Sequence, residues 1–230
     1  TRRSSDLNIF STSTRSMRTF MSAGVAAVGG CTPSSADHRG AATLPADAVH
    51  DDNIPFHTAR KPVLAPGAEC TAFTPRLRRA VEQASNPAPM EPGHGCWTTD
   101  DTMIGIVTTT TPFGKFWRRD YPDDDGSGLT AMMVDTASAQ LFERFILDDR
   151  YYAVRVGSQW RAGLDSGAIK TACMLAVDTG SAQPLLINLT QQVSAKDPAA
   201  KTAQQQCALA ETVARTVLDE QDPGGGSQIR

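Results

Sequence analysis

The side chains best equipped for chemistry in this 230-residue chain are its five cysteines, Cys31, Cys70, Cys96, Cys173 and Cys207. No two form a C-x-x-C pair, which argues against a zinc knuckle and against a thioredoxin-like redox site. His94 stands two residues from Cys96 and would make a Cys–His nucleophile pair, but a cysteine held in a disulfide has no thiolate to attack with. Ser166, within Gly163-Leu164-Asp165-Ser166-Gly167, misses the G-x-S-x-G elbow of a serine hydrolase. Asp120 and Asp123-Asp124-Asp125-Gly126-Ser127-Gly128 form an acidic loop. Tyr121 occupies the place of its first calcium-pattern aspartate, so the loop reads as solvated. No metal and no cofactor is expected. Scattered carboxylates such as Asp135, Glu143, Asp148 and Asp149 leave a hydrolase or transferase as the alternative to a non-enzymatic domain.

One segment has the composition of a recognition surface. Phe113-Gly114-Lys115-Phe116-Trp117-Arg118-Arg119-Asp120-Tyr121 interleaves aromatics with cations. Such a pattern grips a glycan, an anionic lipid headgroup or a partner protein. The candidate patch is Lys115, Phe116, Trp117, Arg118, Arg119 and Tyr121. The i, i+3, i+4 spacing of Phe113, Phe116 and Trp117 also suits packing onto a sheet, and core packing is the better-supported reading.

Composition narrows the setting. Hydrophobic residues make up 40% and the formal charge is −3, values of an ordinary globular chain with no basic surplus for nucleic acid. Residues 1–30 read as a leader: Arg2, Arg3, Arg15 and Arg18 precede the uncharged run Phe20–Val28, the order of an export signal. The run is too short to span a bilayer as a helix. Val28-Gly29-Gly30-Cys31 then looks like a lipobox, in which small residues admit the peptidase and the thiol takes a diacylglyceryl group. Cleavage there would leave a mature net charge near −6, so lipid rather than charge would hold the chain to a membrane. With Cys31 acylated, the other four cysteines make two disulfides, which persist outside the cytosol. Three connectivities are open.

Residues 31–66 show no sustained period and read as a disordered tether. His38, His50 and His57 fall within it, too loosely spaced for a metal site. The folded unit is expected over 67–221, with 222–230, containing Asp222-Pro223-Gly224-Gly225-Gly226-Ser227, as a disordered tail. Thr74-Pro75 opens a helix with the stripe Leu77, Ala80, Val81 and Ala84. Asp197-Pro198 signals a second, with Ala203, Cys207, Ala210, Ala214 and Val217 on one face. Between them lie strand-like runs: Met103–Thr108, Leu141–Leu147, Tyr151–Val156, Thr171–Val177 and Leu185–Val193. Asp148-Asp149 and Asp178–Ser181 supply hairpin turns. The expected fold is α+β, an antiparallel meander flanked by an N-terminal and a C-terminal helix and bonded by disulfides. The expected pairing is Cys70–Cys207 across the helices and Cys96–Cys173 across strands, with Cys70–Cys96 and Cys173–Cys207 as the alternative.

The residues occur in a telling order: a lipobox cysteine and a tether, then Cys70 before a short helix, then Gly95-Cys96-Trp97 opening a strand. Tyr152-Ala153-Val154-Arg155, Cys173, and Cys207-Ala208-Leu209-Ala210 in a last helix ending Val213–Leu218 complete it. Over roughly residues 64–220 the chain resembles the actinobacterial lipoproteins catalogued as domain of unknown function 3558. Glu69 stands where that family has a proline, and Trp97 follows Cys96 without the family's intervening residue, which on a strand turns the indole to the other face. The resemblance implies an exported, lipid-anchored, disulfide-bonded α+β domain on the outer side of the cell membrane, and it brings no reaction. The expected role is therefore non-enzymatic: binding an envelope protein, lipid or glycan, or serving as a sensory or scaffold module.

Overall fold

The computed structural model describes residues 44–90, 95–120, 140–161 and 167–229. The expectations placed on the leader, Cys31, His38, His94, Tyr121, Asp123–Gly128, Asp135 and Ser166 lie outside the described residues. The strand-like runs pair into one seven-stranded antiparallel sheet. Its strands are β1 (Ala88–Pro89), β2 (Gly95–Trp97), β3 (Thr102–Thr108), β4 (Leu141–Leu147), β5 (Tyr151–Arg161), β6 (Ala168–Val177) and β7 (Leu185–Ser194). Their order across the sheet is β1-β2-β3-β7-β6-β5-β4. Two meanders thus meet where β3 pairs with β7, from Thr102 opposite Gln191 to Thr108 opposite Leu185.

The hairpins follow from their turn residues. Asp148 and Asp149 adopt φ of 53° and 56°, a conformation aspartate tolerates. Arg150 N–H then closes onto the Leu147 carbonyl at 3.1 Å. After β6, Gly180 N–H is held by Asp178 Oδ1 at 3.0 Å, turning the chain towards β7.

Alternation puts Cys173, Leu175, Val177, Leu185, Ile187 and Leu189 on one face, where they join one core. Two helices cover that face: α1 (Pro75–Ala80) and α3 (Ala203–Gln221). Thr74 caps α1 by accepting from Leu77 N–H at 3.2 Å. The helix stops earlier than the stripe suggests because Glu82 turns to φ 55°, leaving Ala80 and Ala84 exposed. The cap of α3 is Thr202, in a reciprocal box with Gln205. Asp197 instead holds a turn through Ala199 N–H at 2.8 Å, so the helix begins later than the Asp-Pro signal indicates. The stripe Ala203, Cys207, Ala210, Ala214 and Val217 is buried as its spacing requires. Gly157 allows the close approach of α3: a Cβ there would stand 3.1 Å from Ala203 Cβ and 3.2 Å from Cys207 Sγ.

That approach explains a correction. The disulfides are Cys70–Cys96 and Cys173–Cys207, with Cα–Cα distances of 5.0 and 5.1 Å, and not Cys70–Cys207 with Cys96–Cys173. Cys70 lies in a 3-10 turn, Glu69–Ala72, packed on β2 and β3 and so beside Cys96. Cys207 looks down from α3 onto Cys173. The terminal helices meet without a covalent link, through Thr74 Oγ1 donating to Glu220 Oε2 at 2.7 Å and Arg76 pairing with Asp219 at 3.1 Å.

The opposite face carries a second core containing Phe113, Phe116, Trp117, Tyr152, Val154, Val156 and Leu186. A third helix, α2 (Phe113–Trp117), lies there. Residues 44–66 and 222–229 are also ordered, although their composition reads as tether and tail. Leu44, Ile54 and Leu64 are buried, and Phe56 packs edge-on against Phe113, Trp117 and Tyr152. The C-terminal residues add an antiparallel bridge between Phe56 and Ile229. Isolated apolar residues, too far apart to give a period, anchor both segments.

Candidate functional site

The described residues gather their densest buried polar cluster where these two segments cross the start of β5. It is assembled from four distant places: Arg60 on the N-terminal segment, Tyr151 opening β5, Asp178 after β6, and Asp222 just past α3. Arg60 Nη1 donates to Asp222 Oδ2 at 3.0 Å, to the Thr179 carbonyl at 3.0 Å and to the Gly226 carbonyl at 3.2 Å. Its Nη2 donates to Asp222 Oδ1, completing a bidentate pair. These bonds, against the cost of burial, raise the guanidinium above its ordinary value.

Tyr151 presents its hydroxyl to the Asp222 carbonyl at 3.0 Å and to Oδ2 at 3.1 Å. Burial first, and the Asp222 charge second, hold that phenol far above the usual tyrosine range, so it remains an O–H donor. Ser227 Oγ accepts from Tyr152 N–H at 2.8 Å and donates to the Asp178 carbonyl at 2.9 Å. The C-terminal segment is thereby held at Asp222, Gly226 and Ser227. A Cβ on Gly225 would overlap the Asp222 carboxylate, which explains glycine in a segment whose composition reads as disorder.

Asp178 is the odd member. It is 1% exposed and its Oδ2 has no hydrogen-bond partner among the described residues. Burial pushes its pKa up to about 6, opposed by Ser227, the Gly180 N–H and the Arg60 charge. Beside the cluster opens a cleft of about 640 Å³ lined by His57, Arg60, Arg150 and residues 224–228. Arg150 is engaged there too, donating to the Pro223 carbonyl at 2.8 Å. The donors of both arginines are therefore directed at the protein's own backbone and carboxylates. The arrangement works as a clasp joining the two terminal segments.

The aromatic–cation segment is divided between core and surface. Phe116 and Trp117 are fully buried, as their helical spacing favours, and so cannot face a ligand. Trp117 Nε1 donates to the Asp51 carbonyl at 2.7 Å. Arg144 Nε donates to the Trp117 carbonyl at 2.8 Å while its guanidinium pairs with Asp52 at 2.6 Å. Lys115 pairs with Asp120 at 2.5 Å, whose carboxyl that bond holds below the usual range. Arg119 lies over the Phe142 ring at 3.8 Å, and Arg118 is exposed beside it. Among the described members of the patch, Lys115, Phe116, Trp117, Arg118 and Arg119, no aromatic ring is exposed, because α2 turns its rings into the sheet; Tyr121 lies outside the described residues.

Of the scattered carboxylates, Glu143 and Asp148 come together on one charge ladder. Glu143 pairs with Arg155 at 2.5 Å, Arg155 with Glu211, Glu211 with Arg215 at 3.1 Å, and Arg215 with Asp148 at 2.8 Å. For Arg155 and Arg215 burial opposes the charge, but these carboxylates outweigh it and raise both above their ordinary value. Each acid is neutralised by an arginine, the geometry of a salt-bridge network rather than of an acid–base pair sharing a cleft. Asp149 sits in the hairpin turn. Cys96 is bonded to Cys70, which removes it as a nucleophile. Among the described residues no group of three His, Cys, Asp or Glu side chains converges to hold a metal, and no helix is long and apolar enough to cross a membrane.

Arg60, Asp178 and Asp222 escape a reading by periodicity because their significance lies in contacts distant in sequence, 162 residues for Arg60 with Asp222 and 49 for Asp178 with Ser227. The one local signal was Ile229, an apolar residue beyond the glycine run. The chain matches no family model, no curated protein and no solved structure.

Proposed function

We propose that this chain is a lipid-anchored lipoprotein of the cell envelope, attached through Cys31 on the extracytoplasmic face of the cell membrane, with a non-enzymatic domain that binds a ligand or partner. One observation carries the reading. Four of the five cysteines are consumed in two disulfides, which leaves Cys31 as the one cysteine outside them, behind small residues as in a lipobox. Two disulfides belong to an oxidising compartment, and acylation accounts for the odd cysteine.

The order of motifs supports placing the chain with the lipoproteins of domain of unknown function 3558. The non-enzymatic reading is supported by the engagement of the candidate catalytic groups, Cys96 in a disulfide and Glu143 and Asp148 each with an arginine. The partner on this reading is the membrane, through lipid at the N-terminus, together with an envelope protein, lipid or glycan.

The test is intact-mass analysis of the protein recovered from the membrane fraction of an actinobacterial host, with Cys31→Ser alongside. The expected mature N-terminus is a diacylated or triacylated Cys31, and the variant stays unacylated and leaves the membrane fraction. A native product that is membrane-free and unmodified at Cys31 overturns the proposal.

A further inference from the structure

The loop that ends α1 breaks two local rules at one cleft. Glu82 N–H bonds to the Arg79 carbonyl at 3.4 Å and Gln83 N–H to the Arg78 carbonyl at 2.9 Å, the paired bonds that close a helix in a Schellman motif. Glycine is favoured at the left-handed position of that motif, and an apolar residue commonly follows it. Here the two are Glu82, at φ 55°, and Gln83, buried at 9% exposure. Gln83 Nε2 donates to the Thr102 carbonyl at 3.0 Å, while its Oε1 is buried with no hydrogen-bond partner among the described residues. An unmet buried acceptor is a standing cost to the fold, and departures of this kind concentrate at functional sites.

Gln83, Thr102 and Lys201 line a cleft of about 740 Å³ between this loop, the turn before β3 and the start of α3. Val81 and Leu209 give it apolar lining, and Glu82 and Asp101 stand exposed at its rim. Lys201 Nζ donates to Thr102 Oγ1 at 3.4 Å, so the ammonium and the glutamine amide meet over one residue. The lysine backbone is fixed on both sides, its N–H on Gln191 Oε1 at 2.9 Å and its carbonyl accepting from Gln159 Nε2 at 3.3 Å. Asp100 is committed to the loop, accepting from Ala84 N–H at 2.9 Å and Ser85 N–H at 3.0 Å. A second hollow of about 340 Å³ continues along α3 past Ala208 and shares Lys201 and Leu209 with the first.

We propose that this cleft binds a small apolar zwitterion, an amino acid or dipeptide, with its carboxylate on Lys201, its ammonium at Gln83 Oε1 beside Glu82 and Asp101, and its side chains against Val81 and Leu209. The charges in the cleft select both ends at once. A purely anionic ligand meets the rim carboxylates and a purely cationic one meets Lys201, whereas a zwitterion pairs with each through charge-assisted hydrogen bonds. Its ammonium also supplies the donor that Gln83 Oε1 lacks. None of the residues lining either hollow is aromatic, which leaves a sugar ring without a platform to stack on. The volume lies inside the range of about 300–1,000 Å³ typical of small-ligand sites. This ligand class deepens the binding role proposed above and does not draw on the lipid anchor.

The experiment is calorimetric titration of the full-length chain with leucine, dileucine, N-acetyl-dileucine and dileucine amide. Saturable binding of a zwitterion is expected; either length supports the proposal, and the tighter of the two sets the size of the ligand. Blocking either terminus should weaken binding about tenfold. Lys201→Gln should weaken dileucine by a similar factor and leave the amide unchanged. Asp101→Asn, on an exposed turn, should weaken dileucine and leave the N-acetyl form unchanged. A folding defect would weaken every ligand alike, so this matching of one variant to one blocked terminus reads the site itself. No saturable binding by the native chain, equal binding of free and blocked forms, or variants that leave all affinities unchanged or lower them all alike would each overturn the proposal. A chain unmodified at Cys31 that binds the zwitterion refutes the anchor and leaves the cleft standing. A lipidated chain that binds none of the four does the reverse.

Discussion

Asp178 is a buried carboxyl in a site that favours its acid form, so exchanging it for asparagine should stabilise the fold at neutral pH. The folded-state pKa of about 6 compares with 3.8 for the free group. A difference of about two units corresponds to about 3 kcal/mol between protonation states. Because the folded pKa is the higher one, the native state retains a proton that the unfolded chain has released between about pH 4 and 6. The contribution of Asp178 is therefore fully present below the unfolded value and is lost as pH rises through about 6. Above it, the native state carries a desolvated charge whose Oδ2 has no hydrogen-bond partner among the described residues, relieved by Ser227, the Gly180 N–H and Arg60.

Asparagine keeps the acceptor that Gly180 N–H uses at 3.0 Å and carries no charge. The expected gain is about 1–3 kcal/mol at pH 7.5, shrinking towards zero near pH 3.5. Urea unfolding of both proteins at the two pH values, with disulfides intact, reads it directly. Titration of the other acids and histidines cancels in the comparison. A variant destabilised equally at both pH values, or one whose stability runs parallel to the native protein from pH 3.5 to 7.5, would refute the argument.

Three further outcomes follow from the packing. Cys207→Ala, which opens the 34-residue separation closed by Cys173–Cys207, should cost about 3–4 kcal/mol in denaturant melts on the chain-entropy account; non-reducing peptide maps of the native chain should return Cys70–Cys96 and Cys173–Cys207 only. Gly225→Ala should release the C-terminal clasp, read as new proteolytic cleavage after Gln221 and a loss of about 1–3 kcal/mol, since its Cβ would displace the Asp222 carboxylate from Arg60. Phe116→Ala should destabilise by about 3–5 kcal/mol in the same melts, because that ring is fully buried in the second core; an exposed recognition ring would instead leave stability unchanged.

What could be read from the sequence is what repeats along it. Strands announced themselves by β-branched runs, and Cys173, Leu175 and Val177 shared a face because the side-chain period of a strand is two. The last helix announced itself by the stripe from Ala203 to Val217, and both aspartate-rich breaks became turns. Everything that depended on distance in sequence stayed hidden. The choice between disulfide pairings turned on whether Cys70 faces β2 or α3, which no local pattern encodes. Arg60 and Asp222 are 162 residues apart, each in a segment whose composition argues for disorder, because composition registers the entropy of ordering a chain and not the buried bonds that offset it. The candidate site divides along the same line. The aromatics of 113–117 were legible as sheet-packing by their helical spacing, whereas the cation–π pair of Trp160 and Lys170 exists only through the cross-strand register that sets one beside the other.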